Sequence, residues 1–370
     1  MTGRLAATMR AVVLRGPGEY GVEEVPVPQA GPMEALCRVD TCFICGTDPH
    51  IIRGDYPGFW PKGYPFIPGH EWSGTVVALG PGAAGFAWRA GDRVAGTSHA
   101  GCGYCRMCRT GRYNLCENYG DEERGHRQYG HYSPGAYAEY VVHSIRSLTK
   151  VPAALSLEEA ALLDPASIAL HTIKRGMLAP GDTVTIIGPG PMGLLVLLCA
   201  RALGAGRVIV VGRGERLATA KRLGAEAIDY TVSDPVAAVQ ETTCGGSDVV
   251  IECAGAPTTL AQALAMVRKG GRVAAIGIPL QDAALPVRRL VLDEISLYGV
   301  RANQNTCEEI LPLLVSRRVD PRPLITHRFP LQAFAEALAH FAERRGGAIK
   351  VAVKPCSSVP DDHTAAEKAG

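Results

Sequence analysis

The amino-acid sequence lacks the features that would direct a chain to a membrane, to secretion or to a nucleic acid. Among its 370 residues, no apolar run approaches the roughly 18 residues that a membrane-spanning helix needs. Residues 1–10 contain no apolar stretch of the signal-peptide type. The formal net charge is only +2, which provides no general attraction to polyanions or lipid surfaces. We therefore expect a cytoplasmic protein whose partners are small molecules, with no nucleic acid and no membrane.

Cysteine, by contrast, is plentiful. The chain has 12 cysteines, but a protein of this length does not need disulfides for stability, and their spacing favours metal binding. Four of them follow the pattern C-x2-C-x2-C-x7-C, and four thiolates on short loops suit tetrahedral Zn²⁺. Such a site leaves no coordination position open, so its predicted role is structural. The four residues of this lobe, at about 100–118, are Cys102, Cys105, Cys108 and Cys116.

Two parts of the chain differ in pattern. Residues up to about 150 are rich in Gly and Pro with short apolar runs, which indicates a β-rich region. Near Ser156 the composition changes, and Ser156 and Glu159 have the spacing of a capping box at a helix start. From Asp182 to Val300, short β-branched runs alternate with helical segments. This alternation predicts a doubly wound α/β unit with a parallel sheet. The polar tail 357–370 is expected to be disordered.

A glycine-rich turn lies in the α/β unit. It follows the predicted strand Thr183–Ile187 and precedes a predicted helix, which is the context that a G-x-G-x-x-G dinucleotide motif requires. Its glycines allow a pyrophosphate to approach the helix N-terminus. The candidate cofactor-binding residues of the turn are Gly188, Gly190, Pro191, Met192 and Gly193.

The next strand bears on the choice between NAD and NADP. NAD sites usually carry Asp or Glu about 20 residues after the turn, to bind the ribose 2′-hydroxyl. Here the strand ends in Gly212-Arg213-Gly214, and Arg213 could contact a 2′-phosphate. Glu215 could restore NAD binding if the loop folds back. The motif favours NADP.

A second candidate metal site involves Cys45 and His70, a thiolate and an imidazole that suit Zn²⁺. A catalytic zinc needs about three protein ligands and one exchangeable position. Glu71 or Asp164 could supply the third ligand. Phe59 and Trp60 could form a wall of a substrate pocket or, equally, a hydrophobic lid or interface.

Together these segments resemble the zinc-dependent medium-chain dehydrogenases over about residues 9–354. Within that family the chain is most similar to the branch that contains threonine, sorbitol and other polyol dehydrogenases. The resemblance rests on six segments: Cys45–His50, Gly69–Glu71, the four-cysteine lobe, Glu158–Pro165, the glycine-rich turn and Asp248–Gly255.

The resemblance implies a role for each candidate residue at the second metal site. Cys45 and His70 would bind a catalytic zinc, with Asp164 at the position of the third ligand and Glu71 as an outer or exchanging one. Two zinc ions per chain are then expected. The two remaining implied catalytic residues are Thr47, which would contact the substrate oxygen, and His50, which would pass the proton outward.

The resemblance also implies the activity and the architecture. A secondary alcohol of the polyol, amino alcohol or cyclitol type would be converted to a ketone with NAD(P), and Arg301 could contact cofactor or substrate. A GroES-like catalytic domain of residues 1–160 and 303–370 would enclose a Rossmann domain of residues 161–302. A homodimer or homotetramer is implied through the sheet edge of the Rossmann domain.

Two other functions remain as alternatives. A zinc-free enone or quinone reductase would need no ligand set at Cys45, His70 and Asp164. A zinc-ribbon nucleic-acid module joined to a nucleotide-sensing domain would use the arginines of the four-cysteine lobe, but the small net charge speaks against it.

Overall fold

The structure is a computed structural model, and it describes residues 5–356. Residues 1–4 and the tail 357–370, for which the sequence predicts disorder, lie outside the described residues. The chain divides into two compact units, and Pro165–Leu324 forms the second. Within the described residues, the first unit contains residues 5–164 and 325–356.

These divisions differ from the ranges expected from the sequence, most clearly after residue 302. The segment beyond that residue stays with the second unit because its side chains bond there. The Thr306 hydroxyl donates to the Ser167 carbonyl at 2.8 Å, and Lys174 forms an ion pair with Glu309 at 2.7 Å.

The regular elements are numbered in chain order. The strands are β1 Thr8–Gly16, β2 Glu19–Pro26, β3 Glu34–Phe43, β4 Glu71–Leu79, β5 Arg93–Gly96, β6 His99–Ala100, β7 Arg127–Gln128, β8 Tyr140–Ser144, β9 Leu148–Lys150, β10 Thr183–Ile187, β11 Arg207–Gly212, β12 Glu226–Asp229, β13 Ser247–Glu252, β14 Val267–Ala275, β15 Ser296–Gly299, β16 Ile325–Pro330 and β17 Lys350–Lys354. The α-helices are α1 Asp48–Arg53, α2 Arg106–Arg109, α3 Leu157–Ala160, α4 Leu163–Arg175, α5 Pro191–Ala202, α6 Gly214–Arg222, α7 Pro235–Thr242, α8 Thr259–Met266, α9 Val287–Leu292, α10 Cys307–Val315 and α11 Phe334–Glu343.

The second unit is built on a six-stranded sheet in the order β12-β11-β10-β13-β14-β15. All neighbouring strands run parallel. Strands β10 and β11 consist mostly of buried β-branched residues, and β13 contains the buried run Val249–Ile251. Strands covered on both faces need such continuous apolar runs. The sheet confirms the doubly wound α/β unit predicted from the sequence.

The first unit is built on a seven-stranded sheet. Its main path is β16-β17-β3-β4-β5-β9, and β8 also pairs with β3. All pairs are antiparallel except β16 with β17. Trp72, Tyr137 and Phe334 are among the buried residues of its main hydrophobic core. The unit is the β-rich region that the glycine and proline content predicts.

The first unit also contains the predicted capping box. Ser156 and Glu159 bond to each other's backbone N–H groups at the start of α3, as the sequence indicates. None of the helices in the described part of the chain has the length and apolar character needed to cross a bilayer.

Candidate functional site

Cys45 and His70 are far apart in the sequence, and the pairing of β3 with β4 brings them together. The two strands are antiparallel, with Phe43 opposite Glu71. Cys45 lies just beyond the end of β3, and His70 lies directly before β4. As a result, ligand atoms of Cys45, His70 and Glu71 all lie within 4.8 Å of one another.

Asp48, the first residue of α1, fixes the loop that carries Cys45. Its buried Oδ2 accepts hydrogen bonds from the Cys45 backbone N–H at 2.8 Å and from the Tyr137 hydroxyl at 2.6 Å. Its Oδ1 lies 3.7 Å from His70 Nδ1. Burial raises the pKa of Asp48, whereas His70 and the two hydrogen bonds oppose that rise. One carboxylate therefore holds the Cys45 loop beside the His70 ring.

The polar atoms at this site fit a metal ion. Within the described residues, His70 Nδ1 and Thr47 Oγ1 are buried and have no hydrogen-bond partner. Desolvation, together with the charge of Glu71, raises the pKa of the Cys45 thiol, so a thiolate at this position needs a cation nearby. Thiolate, imidazole and carboxylate are the ligand types that bind Zn²⁺. Thr47 then offers a free hydroxyl beside a candidate zinc site.

Asp164 is the fourth candidate ligand, which the family resemblance puts at the third zinc position. It is buried near the start of α4. It does not belong to the group of ligand atoms within 4.8 Å, which contains Glu71 in its place. The structure thus brings together Cys45, His70 and Glu71, three of the four candidate ligands.

Lys350 is a residue of this site that the sequence reasoning missed. Its ammonium bonds to Glu71 Oε2, and the two side chains are only 2% and 3% exposed. Glu71 therefore faces both a lysine and the candidate metal ligands. A signal was present in the sequence, because Lys350 interrupts the otherwise apolar run 348–353, and a buried ammonium requires a partner of opposite charge.

An aromatic cluster borders His70. The His131 ring centroid is 4.4 Å from that of His70 and 4.6 Å from that of Trp60. The Trp60 indole N–H donates to the Tyr119 hydroxyl at 2.8 Å. Trp60 is buried, whereas Phe59 is 46% exposed. Of the two aromatic residues considered from the sequence, Trp60 is the one buried beside the site.

The four-cysteine lobe brings its sulfur atoms into one cluster. The Sγ atoms of Cys102, Cys105, Cys108 and Cys116 lie within 4.8 Å of one another. Two of the pairs are separated by 3.8 Å and 3.9 Å. A tetrahedron with Zn–S bonds of about 2.3 Å has edges of about 3.8 Å. The sulfur geometry therefore fits a four-thiolate zinc ion.

Hydrogen-bond donors favour thiolates at Cys102 and Cys105, whereas burial raises the pKa of Cys108 and Cys116. The backbone N–H groups of Cys105 and Cys108 donate to Cys102 Sγ and Cys105 Sγ, each at 3.4 Å. The Asn118 amide donates to Cys102 Sγ at 3.3 Å. Burial opposes ionisation of Cys102, but these donors outweigh it and lower its pKa to about 6. This thiol is thus set to bind metal near neutral pH.

The glycine-rich turn has the backbone geometry that a bound pyrophosphate requires. Gly188 directly follows β10 with φ at +98°, and Pro191 and Met192 begin α5. A Cβ at Gly193 would lie 2.0 Å from the Gly188 carbonyl oxygen, so only glycine fits there. A Cβ at Gly190 would meet nothing within 4 Å, which leaves the turn open to a ligand. The helix N-terminus supplies N–H groups and a favourable dipole for phosphate.

The residues after β11 place one positive charge near this turn. A Cβ at Gly212 would lie 2.3 Å from Pro189 Cδ, so glycine keeps the end of β11 against the glycine-rich turn. Arg213 follows, exposed, with its guanidinium 5.8 Å from the centroid of the Tyr230 ring. Glu215 is also exposed, in the first turn of α6. Arg301 is exposed in the loop after β15.

Comparison with known proteins links both units to one family. Residues 31–153 match the alcohol dehydrogenase GroES-like domain, and residues 191–316 match the zinc-binding dehydrogenase family. Sorbitol dehydrogenase of Bacillus subtilis strain 168 is 35% identical over 361 residues, which cover 96% of this chain and 99% of that protein.

Solved structures give the same result. The alcohol dehydrogenase TADH of Thermus sp. ATN1 aligns with a TM-score of 0.85 at 35% identity, covering 94% of this chain and 99% of its own. A chain of Sinorhizobium meliloti 1021, described as a zinc-binding dehydrogenase bound to NADP, aligns with a TM-score of 0.85 at 29% identity. That alignment covers 95% of this chain and 100% of its own.

Replacing Lys350 by Met should destabilise the first unit strongly, because it leaves the buried Glu71 carboxylate without its ammonium partner. Breaking one side of a buried pair costs about 3–5 kcal/mol in the free energy of unfolding. Lys150→Met, on β9 of the same sheet, is the control, since the Lys150 side chain is 51% exposed and pairs with Asp92 at 2.9 Å. Urea unfolding should show a small loss, below about 1 kcal/mol, for this control. Equal losses in both variants would contradict the account of Lys350.

Proposed function

The chain belongs to the zinc-dependent medium-chain dehydrogenases, in their sorbitol and polyol branch, and we propose that Cys45, His70 and Glu71 form its catalytic zinc site. The protein is an oxidoreductase that transfers a hydride between a secondary alcohol or polyol and NAD(P). One observation carries the ligand assignment: the three side chains converge to within 4.8 Å although they come from two separate segments.

When bound, the zinc ion would supply a Lewis acid that lowers the pKa of the alcohol hydroxyl, and the nicotinamide would supply the hydride acceptor. Residues of the chain itself would accept the proton of the alcohol hydroxyl and transfer it to water. Thr47 Oγ1 is buried and forms no hydrogen bond within the described residues, so it can bind the substrate hydroxyl and pass on its proton. His50 lies three positions further along the chain, on α1, with 34% of its side chain exposed, and it can transfer that proton to water.

A panel of polyols, secondary alcohols, amino alcohols and cyclitols, each tested with NAD⁺ and NADP⁺, should reveal turnover through the nicotinamide absorbance. Replacing Cys45 by Ser should lower kcat/KM at least about 100-fold, because a Lewis acid contributes several kcal/mol to the transition state. The zinc content should fall by one ion per chain. Cys37→Ser is the matched control, since Cys37 is buried on β3 outside the cluster.

The C37S variant should retain its zinc and most of its activity. Absence of turnover with every member of the panel would contradict the proposed substrate class. Full activity of the C45S variant would contradict the ligand assignment.

We also propose that the four thiols of residues 102–116 bind a second zinc ion, which makes two per chain. Support comes from the sulfur separations of 3.8 Å and 3.9 Å and from the lowered pKa of Cys102. A four-thiolate ion has no open position, so its role would be structural.

For the cofactor, we propose a preference for NADP over NAD. Arg213 is exposed directly after β11, where dinucleotide folds bind the adenosine ribose, and no carboxylate occupies the end of that strand. A guanidinium can bind a 2′-phosphate through two parallel hydrogen bonds.

Replacing Arg213 by Ser should therefore raise KM for NADP⁺ about tenfold or more, and leave KM for NAD⁺ nearly unchanged, because only the 2′-phosphate contact is lost. Arg222→Ser, at the end of α6, is the control and should change neither value. Steady-state kinetics with both cofactors measure the effect. An equal loss with the two cofactors would contradict the role of Arg213.

We propose further that the chain forms a homodimer or homotetramer through the second unit. Strand β15 lies at one end of the six-stranded sheet, where its outer hydrogen-bonding groups can pair with a second copy. The segment before it exposes several large apolar side chains. Those at least half exposed are Ile278, Leu280, Val287, Val291 and Leu292. An apolar patch beside an exposed edge strand is typical of an interface.

The double variant Val291→Asp/Leu292→Asp should shift the protein toward the 39.1 kDa monomer, because it places two charges in the proposed interface. Val232→Asp is the control, since Val232 is even more exposed but lies outside this segment. Light scattering after size-exclusion chromatography measures the mass. A wild-type monomer, or an unchanged oligomer in the double variant, would contradict the proposal.

A cytoplasmic location is proposed on chemical grounds. None of the 12 cysteines forms a disulfide, and a reducing compartment keeps Cys45 and the four cysteines of the lobe available to zinc.

A further inference from the structure

The turn that ends α1 places the Asp55 carboxylate beside His50, the candidate proton-transfer residue. Gly54 adopts a left-handed conformation with φ at +76° and ends the helix. The next N–H, that of Asp55, donates to the His50 carbonyl at 3.0 Å. The Asp55 carboxylate then reaches the imidazole, with Oδ2 at 2.7 Å from His50 Nδ1. The turn therefore builds a histidine–carboxylate pair that the sequence reasoning did not predict.

The hydrogen-bond network assigns the tautomer of His50. Arg53 Nη2 lies 2.8 Å from Asp55 Oδ2 and 3.0 Å from His50 Nδ1. A guanidinium only donates and an ionised carboxylate only accepts. A bare Nδ1 would place its lone pair 2.7 Å from a carboxylate oxygen, which is repulsive. Nδ1 therefore carries the hydrogen and donates to Asp55, Arg53 donates to the same oxygen, and Nε2 is the bare nitrogen of the neutral ring.

The charges around His50 act in opposite directions. The charged and titratable side chains that the described structure places against the imidazole are Asp55, Arg53 and Tyr56, whose ring centroid is 6.0 Å from that of His50. Burial opposes ionisation of Asp55, but hydrogen bonds from Arg53 and His50 lower its pKa. The carboxylate therefore stays negative and can accept the Nδ1–H of His50.

We propose that Asp55 is a positioning residue for proton transfer, which holds His50 in the tautomer whose Nε2 accepts the substrate proton. This inference rests on the proposed function, in which His50 receives that proton. In the step, an O–H bond breaks and the Nε2–H bond of an imidazolium forms, while Nδ1–H remains bonded to Asp55. The proton then leaves from Nε2 to water, because the His50 side chain is partly exposed. No electron is transferred in this step.

The test uses the zinc-loaded enzyme with [¹³Cε1]-histidine, and the His50→Gln variant identifies the His50 signal among the 10 histidines. Asp55→Asn should lower the pKa of His50 by about one unit, because it removes a neighbouring negative charge. Arg53→Met should raise that pKa, because it removes a positive one. Asp320→Asn is the matched control and should leave it unchanged. Asp320 is likewise paired with an arginine two positions away, Arg322, at 2.6 Å. Because Asp320 lies in the second unit, its replacement removes a similar ion pair away from His50.

Alcohol oxidation gives an independent measurement. Neutral His50 is the reactive form, so the acid limb of the kcat–pH profile should move about one unit lower in the D55N variant and higher in R53M. The pH-independent kcat of D55N should fall about threefold, because the base is weaker. Asp55→Glu, which keeps the negative charge, should restore much of the pH-independent kcat and of the position of the acid limb. A variant that is merely damaged would lose kcat without moving the limb.

An unchanged His50 pKa in D55N would overturn the proposal. If D55N does not fold, Asp55→Ala, which removes the same charge, takes its place in both measurements. The titration also separates this proposal from the proposed function. A wild-type enzyme without turnover would refute the proposed function. The pKa of His50 would still show whether the Asp55 carboxylate interacts with the His50 imidazole.

Discussion

The antiparallel register between β3 and β4 is the constraint on which the metal site depends. It sets Phe43 opposite Glu71, so that the loop after one strand meets the residues that begin the other. Because side chains alternate along a strand, a shift of one residue would turn Glu71 to the opposite face of the sheet. Asp48 also fixes the position of the Cys45 loop, since its carboxylate accepts a hydrogen bond from the Cys45 N–H and lies beside His70.

Charge balance explains why such a site favours a divalent cation. The carboxylates of Asp48 and Glu71 are buried, and an ionised Cys45 would add a third negative charge. Lys350 supplies one positive charge, which leaves two negative charges unbalanced. Buried charges are tolerated only when they are paired or bind a metal. A zinc ion at Cys45, His70 and Glu71 restores the balance and allows Cys45 to ionise. In the four-cysteine lobe, backbone N–H groups that donate to the sulfurs offset part of the negative charge of the thiolates.

The features that can be predicted from the sequence alone are those whose residues are close together along the chain. The cysteines at 102–116 and the turn at 188–193 carry their own spacing, and the short buried runs of the parallel sheet are equally local. The choice between Glu71 and Asp164 depends on the register of a sheet, which spacing does not reveal. Lys350 lies at the far end of the chain from Glu71, so only the fold pairs them. Asp55 is close to His50 in sequence, but its contact depends on the left-handed turn at Gly54.

The central claim is that the first unit contains two different metal centres. The ligands of one come from the single segment 102–116, and those of the other are brought together by the pairing of β3 with β4. Anomalous diffraction at the zinc absorption edge, from crystals of the wild-type protein, tests this most directly. We predict two peaks per chain. One should lie among the sulfurs of the four-cysteine lobe, and the other should be ligated by Cys45, His70 and Glu71. A single peak at the lobe, or a second zinc bound by Asp164 with Glu71 held only by Lys350, would contradict the account.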